Sequence, residues 1–248
     1  MSTFLKVLCK AQVSKQAVDP SIFLEALQNS YRKVQPTFRW NKQQDVSDVF
    51  QHLLGEVQSV CFAAYQRLSV TIASTITCNV CYESSVNEQS ESILSVPLGL
   101  NITECIRKYM EPSSLTAENQ WKCLSCNAIR DATRYHHFAD ASNVLVIQLK
   151  RFAVAHDSSV YKIASSVNIQ QPLQLHISER NVNSEIMIAR NYVLRAFISH
   201  TGNLNSGHYT ANVKVRNIWY KCNDSAVTKV RYFHNVSKEA YLLFYVAA

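Results

Sequence analysis

Glycine and charge are both scarce in this sequence of 248 residues. There are 4 glycines, where an average usage of about 7% would give roughly 17. Charged residues make up 17% of the chain, against about 25% in typical globular domains. Scarce glycine argues against collagen-like, linker-rich and phosphate-loop architectures, because each of them depends on the backbone freedom that glycine provides. Apolar residues reach 47%, so the chain is not disordered throughout and has enough material to bury a core.

Long apolar runs and dense basic runs are missing as well. The sequence contains no stretch of 18 apolar residues, so it predicts no membrane span, and the lysine-interrupted first ten residues do not resemble a signal peptide. The net charge is +7, but the basic residues are spread along the chain, which favours ordinary solvation over nucleic-acid contact. We therefore expect an intracellular protein of the cytoplasm or nucleus, with no nucleic-acid and no membrane partner, whose cysteines are thiols or metal ligands.

Four of the eight cysteines form two Cys-x-x-Cys pairs, Cys78 with Cys81 and Cys123 with Cys126. Two such pairs supply four thiolates, a set that is typical of a closed, tetrahedral, structural zinc site. The alternative is four unrelated buried thiols. That alternative is disfavoured, because it does not explain why the same spacing occurs twice. Residues 82–122 separate the pairs, a long loop that indicates extended arms joined at one end by the metal. The remaining cysteines have no partner spacing and are interpreted as small buried hydrophobes: Cys9, Cys61, Cys105 and Cys222.

Helical periodicity marks the first part of the chain, residues 1–70. Asp19-Pro20 is a helix-start signal. Apolar residues then recur over residues 46–57 at the spacing of one helix face. Asp45 and Asp48 fall in the first turn of that helix, where negative charge suits the helix dipole.

Extended patterns mark the remainder of the chain. Between residues 70 and 140 short extended segments flank the cysteine pairs, and residues 101–109 predict one helix among them. From residue 143 onward the chain is mostly strand, with a continuous apolar run at 144–149 that is typical of a buried central strand. Residues 153–188 are expected to form loops and edge strands. The sequence therefore predicts an α+β fold.

Two of the C-terminal strands carry residues suited to proton transfer. Gly207-His208-Tyr209 opens one strand, and the next strand ends in Asn223 and Asp224. Arg216-Asn217 between them predicts a tight hairpin turn, which would bring His208 beside Asn223 and Asp224. A histidine with an Asn or Asp orienter supplies two of the three members of a nucleophilic triad. By itself the pair is weak evidence for such a triad.

A basic pair follows the apolar run at 144–149. Lys150 and Arg151 are interpreted as charge placed just beyond a buried strand.

The order of these motifs resembles the ubiquitin-specific protease family of papain-like deubiquitinases. Any one match is weak, but the ordered set covers nearly the whole chain and is specific. The matching segments are residues 43–50, the two cysteine pairs, and residues 121–126, 144–152, 192–202, 206–209, 219–224 and 240–245.

The resemblance implies one papain-like domain over residues 1–248 with a thumb, palm and fingers. The helical residues 1–70 correspond to the thumb, residues 71–140 to zinc-tipped fingers, and residues 141–248 to a β-rich palm with a mostly antiparallel sheet. The four paired cysteines match the zinc ligands of the family.

The resemblance also implies roles for individual residues. His208 matches the general base and Asn223 the orienting third member, and Asp224 beside it is either an assistant or a structural residue. Asp45, Asp48, Gln44 and Tyr209 match positions that bind the basic C-terminal tail of ubiquitin. The implied partners are ubiquitin and its conjugates.

The nucleophile of that family lies in a box of the form Gly-x-Thr-Cys-Tyr/Phe-x-Asn, which none of the 248 residues match. Cys9 is followed by Lys10-Ala11-Gln12 and does not fit it. We therefore expect these residues alone not to cleave ubiquitin conjugates, and we expect another chain or segment to supply the box.

Two other functions stay open beside the hydrolase. One is a catalytically dead module that binds ubiquitin or scaffolds a complex. The other, nucleic-acid binding through the zinc element, is disfavoured because residues 78–126 contain few basic residues and several glutamates.

Overall fold

The computed structural model describes most of the chain, and its residues divide into two compact units, 1–66 and 67–248. The division falls close to residue 70, where the sequence pattern changes from helical to extended. The predicted helix start at residues 19–20 and the poorly fitting Cys9 lie outside the described residues. No helix in the described part of the chain is long and apolar enough to cross a membrane. The described residues are 21–34, 44–181, 184–203, 206–230 and 236–248.

The first unit is helical where it is described, as the periodicity predicts. Its helices are α1 Ser21–Val34, α2 Val46–Val60 and α3 Phe62–Gln66. Asp45 is the N-cap of α2, and its side chain accepts a hydrogen bond from the Ser47 backbone N–H at 2.7 Å. This cap satisfies one of the free donors at the helix start. The rings of Tyr31 on α1 and His52 on α2 pack in a T-shaped pair with centroids 4.9 Å apart.

The second unit is built from strands with one α-helix, α4 Ile102–Tyr109, and a 3-10 turn at Ala117–Asn119. The helix matches the prediction for residues 101–109, and Asn101 caps it by accepting from the Glu104 N–H at 2.9 Å. The strands described are β1 Val70–Cys78, β2 Ser84–Glu91, β3 Leu94–Val96, β4 Ser113–Leu115, β5 Trp121–Cys123, β6 Ala128–Arg130, β7 Ala132–Ala141, β8 Val144–Leu149, β9 Phe152–Val154, β10 Val160–Lys162, β11 Val167–Asn168, β12 Leu173–Asn181, β13 Ser184–Gly202, β14 Gly207–Val215, β15 Ile218–Asn223, β16 Ala226–Val230, β17 Val236–Ser237 and β18 Ala240–Ala247.

Twelve of the strands form one mostly antiparallel sheet in the order β16-β15-β14-β13-β12-β7-β1-β2. β18 pairs with both β13 and β8, β3 lies parallel to β8, and β4 pairs with β7. The long strands β1, β2 and β7 make an arm that ends at the first cysteine pair. At the other end of the strand order, β14 carries His208 and β15 carries Asn223. The predicted α+β class is confirmed.

The core cluster contains buried residues of α4 and of several strands, among them β8, β12, β13 and β18. The helix contributes Ile102 and Cys105, both without exposed surface, and β8 contributes Ile147 and Leu149. β8 lies between β3 and β18, which explains why its sequence is a continuous apolar run.

The expectation of loops and edge strands for residues 153–188 is wrong for β12. This strand is interior, because it pairs with β13 on one side and with β7 on the other. Leu173, Leu175 and Ile177 are 1–2% exposed, while Gln174 and His176 between them are exposed. That alternation is typical of a strand with one buried face.

The interpretation of Arg151 as charge just beyond a buried strand is also wrong. Lys150 is exposed, but Arg151 has no exposed surface. Its guanidinium donates to four backbone carbonyls at 2.5–3.2 Å. A buried charge is tolerated when hydrogen bonds replace its hydration, and here backbone carbonyls provide them.

Candidate functional site

The two cysteine pairs meet at the end of the arm. Cys78 ends β1 and Cys81 follows it in the turn toward β2, while Cys123 ends β5 and Cys126 follows it in the turn toward β6. The four Sγ atoms all lie within 4.8 Å of one another. Zinc with four Zn–S bonds of about 2.3 Å needs sulfurs about 3.8 Å apart in a tetrahedron. The number, type and spacing of these donors therefore fit a four-thiolate metal site.

Backbone amides face the sulfurs in both turns. The Val80 N–H donates to Cys78 Sγ at 3.5 Å, and the Cys126 N–H donates to Cys123 Sγ at 3.4 Å. The backbone amides of Cys81 and Val80 lower the pKa of the Cys78 thiol to about 7. A thiolate is the form of cysteine that binds metal, so these amides favour the binding form at Cys78, whereas hydrogen bonding among the crowded thiols raises the pKa of Cys81.

The two turns share one backbone feature, a left-handed residue directly after the second cysteine. Tyr82 has φ 60° and Asn127 has φ 47°. Asparagine adopts this conformation at little cost, whereas tyrosine is strained in it. The Tyr82 N–H donates to the Cys78 carbonyl at 3.1 Å, which closes the turn around the first pair.

The predicted hairpin brings the histidine and the asparagine together. β14 and β15 pair antiparallel from Ala211 opposite Cys222 to Val215 opposite Ile218. The two turn residues, Arg216 and Asn217, have φ 47° and 67°, as expected of a two-residue hairpin loop that matches the strand twist.

His208 and Asn223 are in direct hydrogen-bond contact. Nε2 of His208 lies 2.5 Å from Oδ1 of Asn223, whereas it lies 4.0 Å from Oδ2 of Asp224. The second distance is too long for a hydrogen bond, and the Asp224 side chain is 83% exposed. Of the two residues that the sequence left open, Asn223 therefore has the orienting geometry.

This contact determines which ring nitrogen of His208 is available for chemistry. An amide oxygen only accepts hydrogen bonds, so the proton of this bond lies on Nε2 of His208, and Nδ1 is left as the acceptor. The His208 side chain is 47% exposed, so the ring is open to a reacting group. Cys222 precedes Asn223 on β15, and because successive side chains of a strand point to opposite faces, its thiol lies on the other face.

His200 is a residue that sequence reasoning named only as part of a matching segment. It is 4% exposed and lies on β13 opposite Tyr209 of β14, with ring centroids 4.7 Å apart. Gly207 gave the local signal for it, because a glycine directly before the candidate base indicates a close approach by another group.

Asp45 and Asp48 lie together at the start of α2 in the first unit. Burial and the neighbouring Asp45 carboxylate raise the pKa of Asp48. Burial, and then the two carboxylates, raise the pKa of the Tyr31 hydroxyl. These shifts indicate negative potential at the helix start, which suits a basic ligand. Gln44 directly precedes this cap, whereas Tyr209 lies in the second unit.

Comparison with known proteins identifies the family of this chain. The family model "Ubiquitin carboxyl-terminal hydrolase" matches residues 1–245. The chain is 29% identical over 236 residues to human "Ubiquitin carboxyl-terminal hydrolase 42", covering 88% of this chain and 17% of that protein. It is 27% identical over 266 residues to "Ubiquitin carboxyl-terminal hydrolase 16" of Arabidopsis thaliana, covering 98% of this chain and 25% of that protein. The chain thus spans a quarter or less of these two relatives.

Solved structures support the same fold. A chain of the SAGA Ubp8/Sgf11/Sus1/Sgf73 DUB module bound to ubiquitin aldehyde superposes with a TM-score of 0.78 at 24% identity, covering 92% of this chain and 54% of that chain. The same module with a singly substituted Ubp8, bound to monoubiquitin, gives 0.77 at 23% identity, covering 92% of this chain and 53% of that chain. The likeness confirms the predicted architecture, and the match to the family model covers nearly every residue. The chain belongs to the ubiquitin carboxyl-terminal hydrolase family.

Proposed function

We propose that this chain serves thiol-dependent hydrolysis of the bond after the C-terminal glycine of ubiquitin, with His208 as general base and Asn223 as its orienter. The observation that carries the proposal is the 2.5 Å contact between His208 Nε2 and Asn223 Oδ1. It leaves Nδ1 free to accept a proton on a half-exposed ring. Family membership and the ubiquitin-bound state of the two similar structures support ubiquitin as the substrate.

The proposed reaction uses a thiol that these 248 residues do not recognisably contain. His208 Nδ1 takes the proton of that thiol, and the sulfur bonds to the carbonyl carbon of the terminal glycine of ubiquitin. The C–N bond to the leaving amine then breaks as the imidazolium returns the proton to that nitrogen. Water, deprotonated by the same Nδ1, then attacks the thioester carbonyl carbon. The C–S bond breaks as the imidazolium returns the proton to the sulfur, which releases ubiquitin and the thiol. General base and acid catalysis of this kind contributes about 10²–10⁴-fold.

The acidic start of α2 supports a role in holding the substrate. Asp45 and Asp48 carry the negative potential described above, and an arginine or lysine of the ubiquitin tail would relieve it. Gln44 of the first unit and Tyr209 of the second unit are further proposed contacts of the tail.

The four paired cysteines would hold zinc in a structural role. A closed four-thiolate site has no open position for water, so the ion, when bound, joins the two turns. Such a site contributes on the order of 10 kcal/mol to folding, which would hold β5 and β6 against the end of β1.

A second candidate is a catalytically dead module that binds ubiquitin or scaffolds a complex. Two observations are consistent with it. None of the 248 residues match the nucleophile box, and the Cys222 thiol lies on the face of β15 opposite Asn223.

Hydrolysis of a fluorogenic ubiquitin amide separates the two candidates. The chain alone should give no turnover, because loss of a nucleophile costs about six orders of magnitude. The chain joined to a family segment that carries the box should turn over, and His208→Gln in that protein should abolish the activity. His176→Gln is the matched control, since His176 is exposed on β12.

Three results would overturn part of this account. Ubiquitin binding without turnover by the completed protein would support the dead module. Turnover that survives His208→Gln would refute the base assignment. Turnover by the chain alone that is lost in Cys9→Ser would refute the external thiol.

A further inference from the structure

His200 lies in a closed aromatic cage directly beside the strand that carries His208. The rings of Tyr209, Phe152 and Tyr241 surround it, with centroids 4.7, 5.7 and 6.5 Å from the His200 ring. Tyr241 is itself fixed, because its hydroxyl accepts from Gln148 Nε2 at 2.7 Å. A ring enclosed in this way has few orientations available.

Lys162 selects one of those orientations. Its Nζ lies 3.3 Å from His200 Nδ1 and 2.5 Å from the His200 carbonyl oxygen. A lysine ammonium only donates, so Nδ1 must accept and the ring proton must lie on Nε2. One side chain thus fixes both the backbone and the tautomer of His200.

The Nε2 edge of the His200 ring rests against Gly207. A Cβ added to Gly207 would lie 2.1 Å from Nε2 and 2.8 Å from Cε1 of that ring. Gly207 directly precedes His208, and His208 is paired with Thr201 of the same strand as His200. Any movement of the His200 ring is therefore transmitted to the backbone that carries the candidate base.

We propose that His200 is a positioning residue, whose ring, clamped by Lys162, supports Gly207 and thereby sets the His208 ring against Asn223. The proposal rests on the role of His208 given above. His200 is 4% exposed and acts on the reaction only through Gly207. Such support matters because a misplacement of about 1 Å at a reacting group can cost roughly 100-fold in rate.

Nitrogen-15 NMR of the chain with labelled histidines tests this without turnover. The chain has 8 histidines, and the His208→Gln variant identifies the His208 signals. The wild-type spectrum should show a proton on His208 Nε2 that is protected from water by its bond to Asn223.

Two variants test the support from different sides. His200→Phe keeps an aromatic ring, although a larger one, and removes the acceptor, while Lys162→Met removes the donor and leaves His200 in place. The matched control, His176→Phe, changes an exposed histidine of β12. Lys162→Arg keeps a cationic donor and should restore the wild-type spectrum.

In His200→Phe and in Lys162→Met we expect the His208 Nε2 proton to exchange with water about tenfold faster, which is the effect of losing one hydrogen bond. In the protein completed with the nucleophile box, kcat should fall about 100-fold while KM changes little. A wild-type His208 spectrum in folded Lys162→Met or His200→Phe would overturn the role of His200. A wild-type chain without a protected Nε2 proton would instead refute the base assignment of His208.

Discussion

Arg151 offers the sharpest test of how the second unit is held together. Its Nε donates to the Ala240 carbonyl at 2.5 Å, and its two Nη atoms donate to the carbonyls of Ile163, Ser165 and Ser237 at 2.8–3.2 Å. Burial lowers the pKa of Arg151 to about 10, so it stays charged at neutral pH. One side chain therefore ties the segment after β10, the end of β17 and the start of β18 to the end of β8.

Arg151→Met should destabilise the protein by about 3–5 kcal/mol, toward the large end for a point substitution, because it breaks a buried hydrogen-bond network. Each carbonyl left without a partner costs about 1–3 kcal/mol, and relief from burying the charge offsets part of that sum. For a chain of this length the melting temperature should fall by about 10 °C. Lys150→Met is the matched control, because Lys150 is the exposed neighbour and should change stability by less than about 0.5 kcal/mol.

Urea unfolding at constant zinc, followed by tryptophan fluorescence, measures both variants. Trp219 lies against the core with its ring centroid 5.8 Å from that of Phe197, so its emission reports the second unit. If Arg151→Met unfolded at the same urea concentration as Lys150→Met, the four hydrogen bonds would not be stabilising and the reasoning would be refuted.

Three further variants test the metal site, the acidic helix start and the packing of the base. Cys81→Ser should reduce bound zinc from about one ion per chain to near none by atomic absorption, because a closed site loses a ligand, whereas Cys61→Ser should keep it. Asp48 has a raised pKa in the folded state, so its stabilising contribution is present below its unfolded pKa and is lost as pH rises through the folded value. Asp48→Asn should therefore stabilise the first unit at pH 7 by less than about 0.5 kcal/mol, with no gain in stability at pH 3. The same variant should weaken ubiquitin binding. A gain in stability at both pH values, measured by urea unfolding, would contradict this. Gly207→Ala should destabilise the protein by about 1–3 kcal/mol through overpacking. Gly55 lies in a helix, and a Cβ added there would meet nothing within 4 Å, so Gly55→Ala should stabilise the protein by about 0.5–1 kcal/mol. Equal urea midpoints for the two variants would refute the close packing at Gly207.

The parts of the site that are local in sequence could be predicted from it. The spacing of Cys78 and Cys81 alone determines that two thiols share one turn. The Arg216-Asn217 turn sets the register of β14 and β15, and that register brings His208 to Asn223. In each case the chain between the two groups is too short to allow many other arrangements.

The parts that depend on the assembled sheet could not be predicted in this way. Arg151 and its partner Ala240 are 89 residues apart in sequence, and only the pairing of β18 with β8 brings them together. The cage around His200 draws on β9, β14 and β18, so its closeness to Gly207 is a property of the folded sheet. The sequence does not mark β12 as an interior strand, because turn residues are sparse over residues 153–188.

His208 and Asn223 are proposed to act as base and orienter for a thiol from outside these residues. Turnover of a fluorogenic ubiquitin amide by the completed protein, compared between Asn223→Ala and Asp224→Ala, tests this proposal most directly. Asn223→Ala should lower kcat about 100-fold, because the ring loses the partner that fixes its tautomer, and Asp224→Ala should leave kcat within about twofold, since a surface change away from a contact has little effect. Full activity in Asn223→Ala, with activity lost in Asp224→Ala, would contradict the account.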